Sequence, residues 1–559
     1  MGRVSASRKE RVFSRDEIEA LIAEGRHIVI VNGKVLKCDA WLQYHPGGEI
    51  SIRHFLGRDA TDEVKGFHSP ETLEYMTKYQ IGTIEGRWTG FVPPIQGGKF
   101  RTREQIQYET AELDVLDKVN DSSDQSSEPS PVSSPELHST LRNRGGIDPV
   151  SSATSISSVD LEDMDSDRMG TIDARTGKVF EIDALQYPPI DPEVQEDIIR
   201  KYRQLFERLK SEGLFECNYW AYGVETIRYS FLFSMAMLSI HWGWYSLAGV
   251  FIGCFWQQLV FTAHDSAHIG ITHNFQVDSL IAIFIADFLG GLSIGWWKRN
   301  HNVHHVVTNS PEHDPDIQHV PFFAVSPRFF GSLRSSYYGH VMKYDAVARV
   351  FVRYQDYLYY VVLCFGRFNL YRLSWQYLLG SQPPRKGPAR WHRWLEIAGH
   401  VFFWIWYGYG IIYKSIPTNS GRFAFFMVSH IVTSPLHLQI TLSHFAMSTE
   451  ELGVGESFPQ KMLRTTMDVD CPQWLDFFHG GLQFQAIHHL YPRMPRHNLR
   501  QAQKLVQQFC EEVNVPYALF GFVDGNKAVL GRLGEVGRQA AILAKCQKTL
   551  ARSDDFGMH

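Results

Sequence analysis

Three histidine clusters in the second half of the chain have spacings that suit metal binding. They are His264 and His268 in HDSAH, His301, His304 and His305 in HNVHH, and His488 and His489 in QAIHH, which begins at Gln485. Residues three or four positions apart lie on one face of a helix, so each cluster can direct two imidazoles at one ion. Together the clusters suffice for two metal ions with a position left for oxygen. The residue types alone allow iron, zinc or copper.

Other histidines near these clusters have different expected roles. His444, in LSHFAM, ends a long apolar segment and is predicted to face the same side as a further ligand. His479 is expected to line a substrate channel. Loop or supporting positions are expected for His273, His313, His319 and His497.

Apolar segments must position the clusters. Residues 221–263 fit two membrane spans joined by a turn near His241, and 397–413 and 423–447 fit two more. The shorter segment 279–297 need not cross. Two crossings between the second and third clusters return the chain to the face that it left, so all three clusters should meet at one membrane face. The alternative is that these segments are buried helices of a soluble protein. The aromatic residues at the ends of the segments favour membrane spans instead.

A separate pair of histidines lies near the N-terminal end. His45 begins HPGG, and His68 follows in GFHSPETL. Two imidazoles on opposing loops can ligate one haem iron from both sides, and the absence of CxxCH indicates a haem held without covalent links. Such an iron has no position for dioxygen and only passes electrons. A capped helix from Ser14 and a hairpin at Asn32–Gly33 are predicted around this site.

Composition divides the 559 residues into three predicted parts. Residues 1–90 form a small α+β domain, 91–190 a mostly disordered linker, and 191–559 an all-α multi-span membrane domain. Serine, proline and acidic residues dominate 120–167, which cannot bury enough apolar surface to fold. The net charge of −5 indicates no nucleic-acid partner. Seven cysteines without a CxxC pair favour a reducing compartment, and no secretory signal is visible.

These motifs carry a resemblance to a known family. Residues 14–83 resemble cytochrome b5, with His45 and His68 at the positions of its axial ligands. Residues 215–525 resemble the front-end fatty-acid and sphingolipid desaturases, in which the third box begins with glutamine, as Gln485 does here. Ile487 departs from the glutamate of many relatives, but it is not at a ligand position. The serine- and proline-rich linker is similar to that of fungal sphingolipid Δ8-desaturases.

The resemblance implies an enzyme that binds haem b and two non-haem iron ions. Two electrons would come from NADH through NADH–cytochrome b5 reductase and the fused haem, and O2 would be the co-substrate. The substrate would be a ceramide, with the new double bond at carbon 8 of its long-chain base. The expected location is the endoplasmic reticulum membrane, with the haem domain and histidine boxes on the cytosolic side. The linker would keep the haem domain near the metal site.

Three alternatives stay open at the level of the sequence. An acyl-lipid Δ6 or Δ5 front-end desaturase has the same motifs. A lipid hydroxylase shares the haem fusion and the histidine boxes. A membrane-anchored electron carrier with structural metal would bind haem without using oxygen.

Overall fold

The computed structural model describes residues 11–111 and 183–556, so the serine- and proline-rich part of the predicted linker, 120–167, lies outside the described residues. In the described ranges, a small α+β unit precedes a mostly helical one. The predicted fold class is confirmed for both units.

The α+β unit is built on a four-stranded sheet with strand order β1-β4-β3-β2. Strands β1 and β4 pair in parallel, and the other pairs are antiparallel. Its elements are β1 Val12–Phe13, α1 Arg15–Ala23, β2 Ile28–Val31, β3 Lys34–Lys37, α2 Glu49–Arg53, α3 Thr61–Phe67, α4 Pro70–Met76 and β4 Gln80–Ile84.

Two local predictions in this unit are confirmed. The backbone amide of Glu17 donates to Ser14 Oγ at 3.2 Å, and the backbone amide of Ser14 donates to Glu17 Oε2 at 3.0 Å. These two hydrogen bonds form a capping box. Asn32 and Gly33 take positive φ values of 51° and 69° between the antiparallel strands β2 and β3. That backbone is the one a tight hairpin requires.

The helical unit follows in a single run of elements. They are α5 Pro192–Ser211, α6 Tyr219–His241, α7 Tyr245–Ala267, α8 Phe275–Ile283, α9 Ile294–Val306, α10 Ala346–Arg353, α11 Gln355–Leu363, α12 Gly366–Leu379, α13 His392–Phe403, α14 Asn419–Ile431, α15 Ser434–Leu442, α16 Phe458–Thr465, β5 Asp468–Asp470, α17 Asp476–His479, α18 Gln485–Leu490, α19 Leu499–Val513, β6 Leu519–Gly521 and α20 Phe522–Phe556. π-Helical turns continue α8 over Phe284–Leu289 and α13 over Trp404–Ser415.

Helix α7 is the centre of the apolar packing. It forms a hairpin with α6 through a turn in which Gly243 has a φ of 78°. Gly253 lets α14 approach closely, because a Cβ there would lie 2.7 Å from Val432 Cβ. Small residues at helix contacts serve this purpose in membrane proteins.

Length and composition identify candidate membrane spans among the described residues. Tyr245–Ala267 and Asn419–Phe445 meet both conditions, and the pair Phe275–Leu289 and Ile294–Val306, bent by 116°, makes a third span or a re-entrant segment. The predicted spans at 221–241 and 397–413 are helical but are not among these candidates. The multi-pass arrangement therefore stays a prediction.

Both described ends of the predicted linker pack against the rest of the chain. Phe91 and Phe100 lie on the core of the α+β unit, and Arg101 Nη2 lies 2.7 Å from Glu19 Oε2. Tyr187 belongs to the core of the helical unit. The domain limits at residues 90 and 190 stay predictions, and we propose that the packed parts extend past both.

The α+β unit also packs directly on the helical unit. Val303, Val306 and Val307, at the end of α9, share one buried apolar cluster with Val29, Val31, Leu36, Phe55, Leu56 and Ala60. Beside this cluster, Arg203 of α5 donates from Nε and Nη2 to the two carboxylate oxygens of Asp62 at 2.7 and 3.1 Å. The two units therefore form a packed interface.

A buried ionic cluster fixes the start of the described helical unit. Arg464 of α16 is fully buried and donates to Glu456 Oε1 and Oε2 at 2.8 and 2.9 Å. It also donates to Asp183 Oδ2 at 3.2 Å. Removal of the arginine from such a cluster is strongly destabilising, because it leaves two buried carboxylates with uncompensated charge.

Arg464→Met should lower the stability of the protein strongly. It leaves Glu456 and Asp183 buried without their cation, which costs about 3–5 kcal/mol. The apparent unfolding temperature of detergent-solubilised protein measures the loss. Arg208→Met is the matched control, because Arg208 pairs with Glu212 at the surface and is 55% exposed. Equal unfolding temperatures for the two variants would contradict the role of the cluster.

Candidate functional site

The first site lies in the α+β unit, between the two predicted haem ligands. His45 follows a 3-10 turn and His68 follows α3, and their ring centroids lie 6.0 Å apart. His45 Nδ1 donates to Gly48 O and His68 Nδ1 donates to Val64 O, each at 2.9 Å. These bonds orient both rings and leave each Nε2 for a metal, so the pair fits a haem iron between them.

Burial keeps both imidazoles neutral. It lowers the pKa of His45, and it lowers the pKa of His68 to about 3, with His45 as a smaller cause. Neutral imidazole is the form that ligates a metal. The described residues therefore fit a haem held by two histidines.

The ends of several helices bring the three histidine clusters together. His264 lies in the last turn of α7 and His268 directly follows that helix. The second cluster occupies the C-terminal part of α9, and the third lies on α18. His444 follows α15. Four separate chain segments thus deliver imidazoles to one buried region.

Among the described residues, three overlapping sets of side chains could each hold a metal ion. Seven histidines make up two of them, the two histidine groups, and the third set is His301, His304 and Asp316. Within each group the possible ligand atoms lie within 4.8 Å of one another. The first group is His264, His268, His301 and His488, and the second is His304, His444 and His489. Several of the nitrogens are buried without a hydrogen-bond partner, namely Nε2 of His264, His268, His488 and His489 and Nδ1 of His444. Buried polar atoms normally have partners, so this donor set fits two metal ions.

His305 and Gln485 lie beside these groups without belonging to either. His305 Nε2 lies 3.0 Å from His301 Nε2, and its ring stacks on that of His489 with centroids 4.1 Å apart. Gln485 begins α18, is buried, and its Oε1 has no hydrogen-bond partner. Their roles as ligands stay predictions.

The histidines of the third cluster are neutral as well. Burial, and then His264, lowers the pKa of His488 well below the ordinary value. Burial, and then His304, does the same to the pKa of His489. Both imidazoles are therefore ready to ligate a metal without first losing a proton.

Sequence patterns did not identify two carboxylates that support the centre. Asp314 is fully buried and accepts from His304 Nδ1 at 2.9 Å and from the Asn309 amide at 2.7 Å. Asp316 lies 3.8 Å from His301 Nδ1. Such carboxylates orient a histidine so that its other nitrogen faces the metal. The available signal was the pair of acids in EHDPD, one short loop after the second cluster.

The other predicted histidines lie outside the two groups. His479 Nδ1 accepts from Gln439 Nε2 at 3.1 Å, and His497 Nε2 donates to Glu225 Oε1 at 3.0 Å. His273, His313 and His319 are likewise absent from the metal-binding groups among the described residues. The channel role of His479 stays a prediction.

A cavity lies next to the first and second clusters. Its lining includes Ala267, which precedes His268, and Lys298, one turn before His301. Glu396 of α13 and Pro46 of the haem-ligand loop also line it. Both units of the chain therefore bound the space beside the metal-binding helices.

Asp314→Asn should weaken metal binding without unfolding the chain. The variant loses the carboxylate that orients His304, a change that typically costs about 10–100-fold in metal affinity. Metal content after dialysis against a chelator, measured by elemental analysis, tests this. Asp345→Asn is the control, because Asp345 caps an exposed helix end. Wild-type metal retention in Asp314→Asn would contradict the assignment.

His68→Ala should abolish haem binding, because one of two axial imidazoles is lost. The visible absorption of haem per mole of purified protein is the measurement. His27→Ala is the control in the same domain, since His27 is half-buried and pairs with Asp39 at 3.1 Å. Retention of a low-spin haem spectrum in His68→Ala would rule out His68 as a ligand.

Comparison with known proteins agrees with both sites. The model of the fatty acid desaturase family matches residues 240–521, and that of the cytochrome b5-like haem/steroid-binding domain matches residues 14–85. A protein of Emericella nidulans named Delta 8-(E)-sphingolipid desaturase is 56% identical over 99% of both chains. Proteins of that name from Kluyveromyces lactis and Candida albicans are 46% and 44% identical, over 97% and 98% of this chain and 95% and 99% of their own. The predicted resemblance and the oxidoreductase class are confirmed, the b5-like domain implies haem and the desaturase family implies iron: the chain belongs to the fatty acid desaturase family.

Proposed function

We propose that this enzyme introduces a double bond of E configuration at carbon 8 of the long-chain base of a ceramide. The observation that carries the proposal is similarity over nearly the whole of both chains to proteins named Delta 8-(E)-sphingolipid desaturase. The aligned region covers 97–99% of this chain, so it includes both the haem domain and the histidine clusters.

The two histidine groups support a pair of iron ions as the catalytic centre. His264, His268, His301 and His488 would hold one ion, and His304, His444 and His489 the other, with His305 and Gln485 beside them. When bound, the irons supply activation of dioxygen. The chain itself contributes buried imidazoles, the orienting carboxylate of Asp314, and a site from which bulk water is excluded.

The reaction requires an electron supply, which the N-terminal domain fits. Two hydrogens from adjacent substrate carbons, one O2, two protons and two electrons give the double bond and two water molecules. We propose that the electrons come from NADH through NADH–cytochrome b5 reductase and then the haem at His45 and His68. The candidate spans and the family support a membrane location, and we propose the endoplasmic reticulum with both cofactor sites on the cytosolic side.

Expression in a host without Δ8-unsaturated long-chain bases should produce them and leave the acyl chains unchanged. Mass spectrometry of the hydrolysed lipids measures bases and fatty acids separately. His301→Ala should reduce the product to background, because it removes a proposed iron ligand. His340→Ala is the matched control, since His340 is exposed and outside both groups.

Other products would contradict the proposal in distinguishable ways. New polyunsaturated acyl chains would identify an acyl-lipid Δ6 or Δ5 desaturase. Hydroxylated lipids would identify a hydroxylase. A haem spectrum without oxygen consumption would identify an electron carrier.

A further inference from the structure

The loop that holds the haem ligand His45 lies directly against the helix that carries the second histidine cluster. A Cβ at Gly48 would lie 3.1 Å from Arg299 Cγ of α9, and a Cβ at Gly47 would overlap the side-chain amide of Asn302. The backbone of the haem-ligand loop therefore lies directly against side chains of α9, in space that the two glycines leave open.

The other haem ligand ends a helix that lies beside the second and third clusters. A Cβ at Gly66, near the end of α3, would lie 3.7 Å from the carbonyl oxygen of Leu490, the last residue of α18. The ring of Phe67 meets the ring of His305 edge to face, with centroids 5.6 Å apart and an interplanar angle of 89°. Phe67 is bonded to His68, so a residue adjacent to a haem ligand contacts the candidate metal centre.

His305 connects this contact to both histidine groups. Its ring lies 4.7 Å from that of His488 in the first group and 4.1 Å from that of His489 in the second, measured between centroids. A short covalent and ring-contact route therefore runs from His68 through one peptide linkage, the Phe67 ring and the His305 ring to both groups. Electron tunnelling falls steeply with distance and with each gap between atoms, which favours a route with one ring-to-ring contact.

We propose that the docked arrangement of the two units is the electron-donating one, and that Phe67 is the residue through which electrons pass to the metal centre. The inference rests on the proposed function, which assigns irons to the histidine groups. In each transfer one electron leaves a ferrous haem, which becomes ferric, and reduces one ferric ion at the histidines to ferrous. NADH, through its reductase, supplies the two electrons used per turnover.

The contact belongs to a broad interface. The bidentate Asp62–Arg203 pair and the valines of α9 hold α3 against the helical unit on either side of Phe67. Phe67 itself is half-buried, so its ring can be removed without deleting the valine packing or the ion pair. The electron-transfer role and the docking role are therefore separable by mutation.

The test follows the oxidation of reduced haem in the full-length holoenzyme. Haem is reduced without oxygen by a small-molecule one-electron donor, and the protein is then mixed with O2 and ceramide while the visible absorption is recorded. Phe67→Ala should slow haem oxidation by about tenfold or more, because a small displacement at a transfer contact has a large effect on rate. Phe67→Tyr, which keeps the ring, should oxidise at the wild-type rate.

Tyr75→Ala is the matched control, since the Tyr75 ring contacts Trp41 and Tyr79 within the haem domain. Haem content and the rate of haem reduction by the donor should be unchanged in all variants, which shows that the haem domain is intact. Haem oxidation in Phe67→Ala at the wild-type rate would overturn the proposal.

A disulfide tests the docked state separately from chemistry. A Cβ at Gly387 would lie 3.4 Å from Cβ of Tyr44, which precedes His45, and this spacing is close to that of a disulfide. Tyr44→Cys with Gly387→Cys should cross-link the two units, as detected by mass spectrometry of the linked peptides. Gly387 has a φ of 80°, which favours glycine, so the single Gly387→Cys variant is the control for backbone strain and Tyr44→Cys is the second control. Phe67→Ala should not reduce the cross-linking yield. The locked protein should still oxidise pre-reduced haem, and loss of that oxidation would overturn the docked state as the donating one.

Failure of this inference differs from failure of the proposed function. If wild-type haem is oxidised with an acyl lipid and not with ceramide, the substrate assignment fails and the Phe67 comparison is made with that lipid. If wild-type and Phe67→Ala haem are oxidised equally fast with ceramide, the electron-transfer contact fails and the substrate assignment stands.

Discussion

Buried imidazoles that lack hydrogen-bond partners are the constraint on which the helical unit depends. Five histidines of the two groups have a buried ring nitrogen without a partner among the described residues. Such atoms destabilise a fold unless something ligates them. Crowded imidazoles also cannot all carry protons, because like positive charges at close range repel; burial, and then the neighbouring histidines, lower the pKa of His488 and His489. Helices α7, α9, α15 and α18 are therefore arranged so that their ends bring the histidines together as one set of metal ligands.

Helix α9 serves both units because its two faces have different residues. Arg299, Asn302, Val303 and Val306 follow the helical repeat and face the haem domain, whereas His301, His304 and His305 face the metal centre. Its first turn is fixed by Glu396 of α13, which accepts from the Ser293 hydroxyl at 2.5 Å and from the Gly295 amide at 3.1 Å. A displacement of α9 would consequently move the metal ligands and the docking surface together.

The sequence could predict the features that depend on residues close together in the chain. The histidine boxes have helical spacing, His45 lies in HPGG, and the hairpin at Asn32–Gly33 has its turn residues side by side. The features that it could not predict depend on segments far apart in the chain. Phe67 is an ordinary aromatic until α3 meets α9, and Asp62 is an ordinary helix residue until α5 brings Arg203 to it. Mean hydropathy alone does not describe α6 well either. Glu225 lowers the mean hydropathy of this helix, yet its side chain is buried and pairs with Arg496 and His497.

The interface between the units places two demands on the same short segment. Gly48 has a φ of 86°, which glycine adopts without strain, and its carbonyl accepts the bond that orients His45. The same residue, with Gly47, leaves the space that Arg299 and Asn302 occupy. Haem ligation and domain docking therefore use one backbone conformation. The Asp62–Arg203 pair spans this interface with unequal burial, because Arg203 is 42% exposed and Asp62 only 7%. Loss of Arg203 would leave a buried carboxylate without its cation, so the ion pair, the close glycine contacts and the buried valines act together to hold the two units in place.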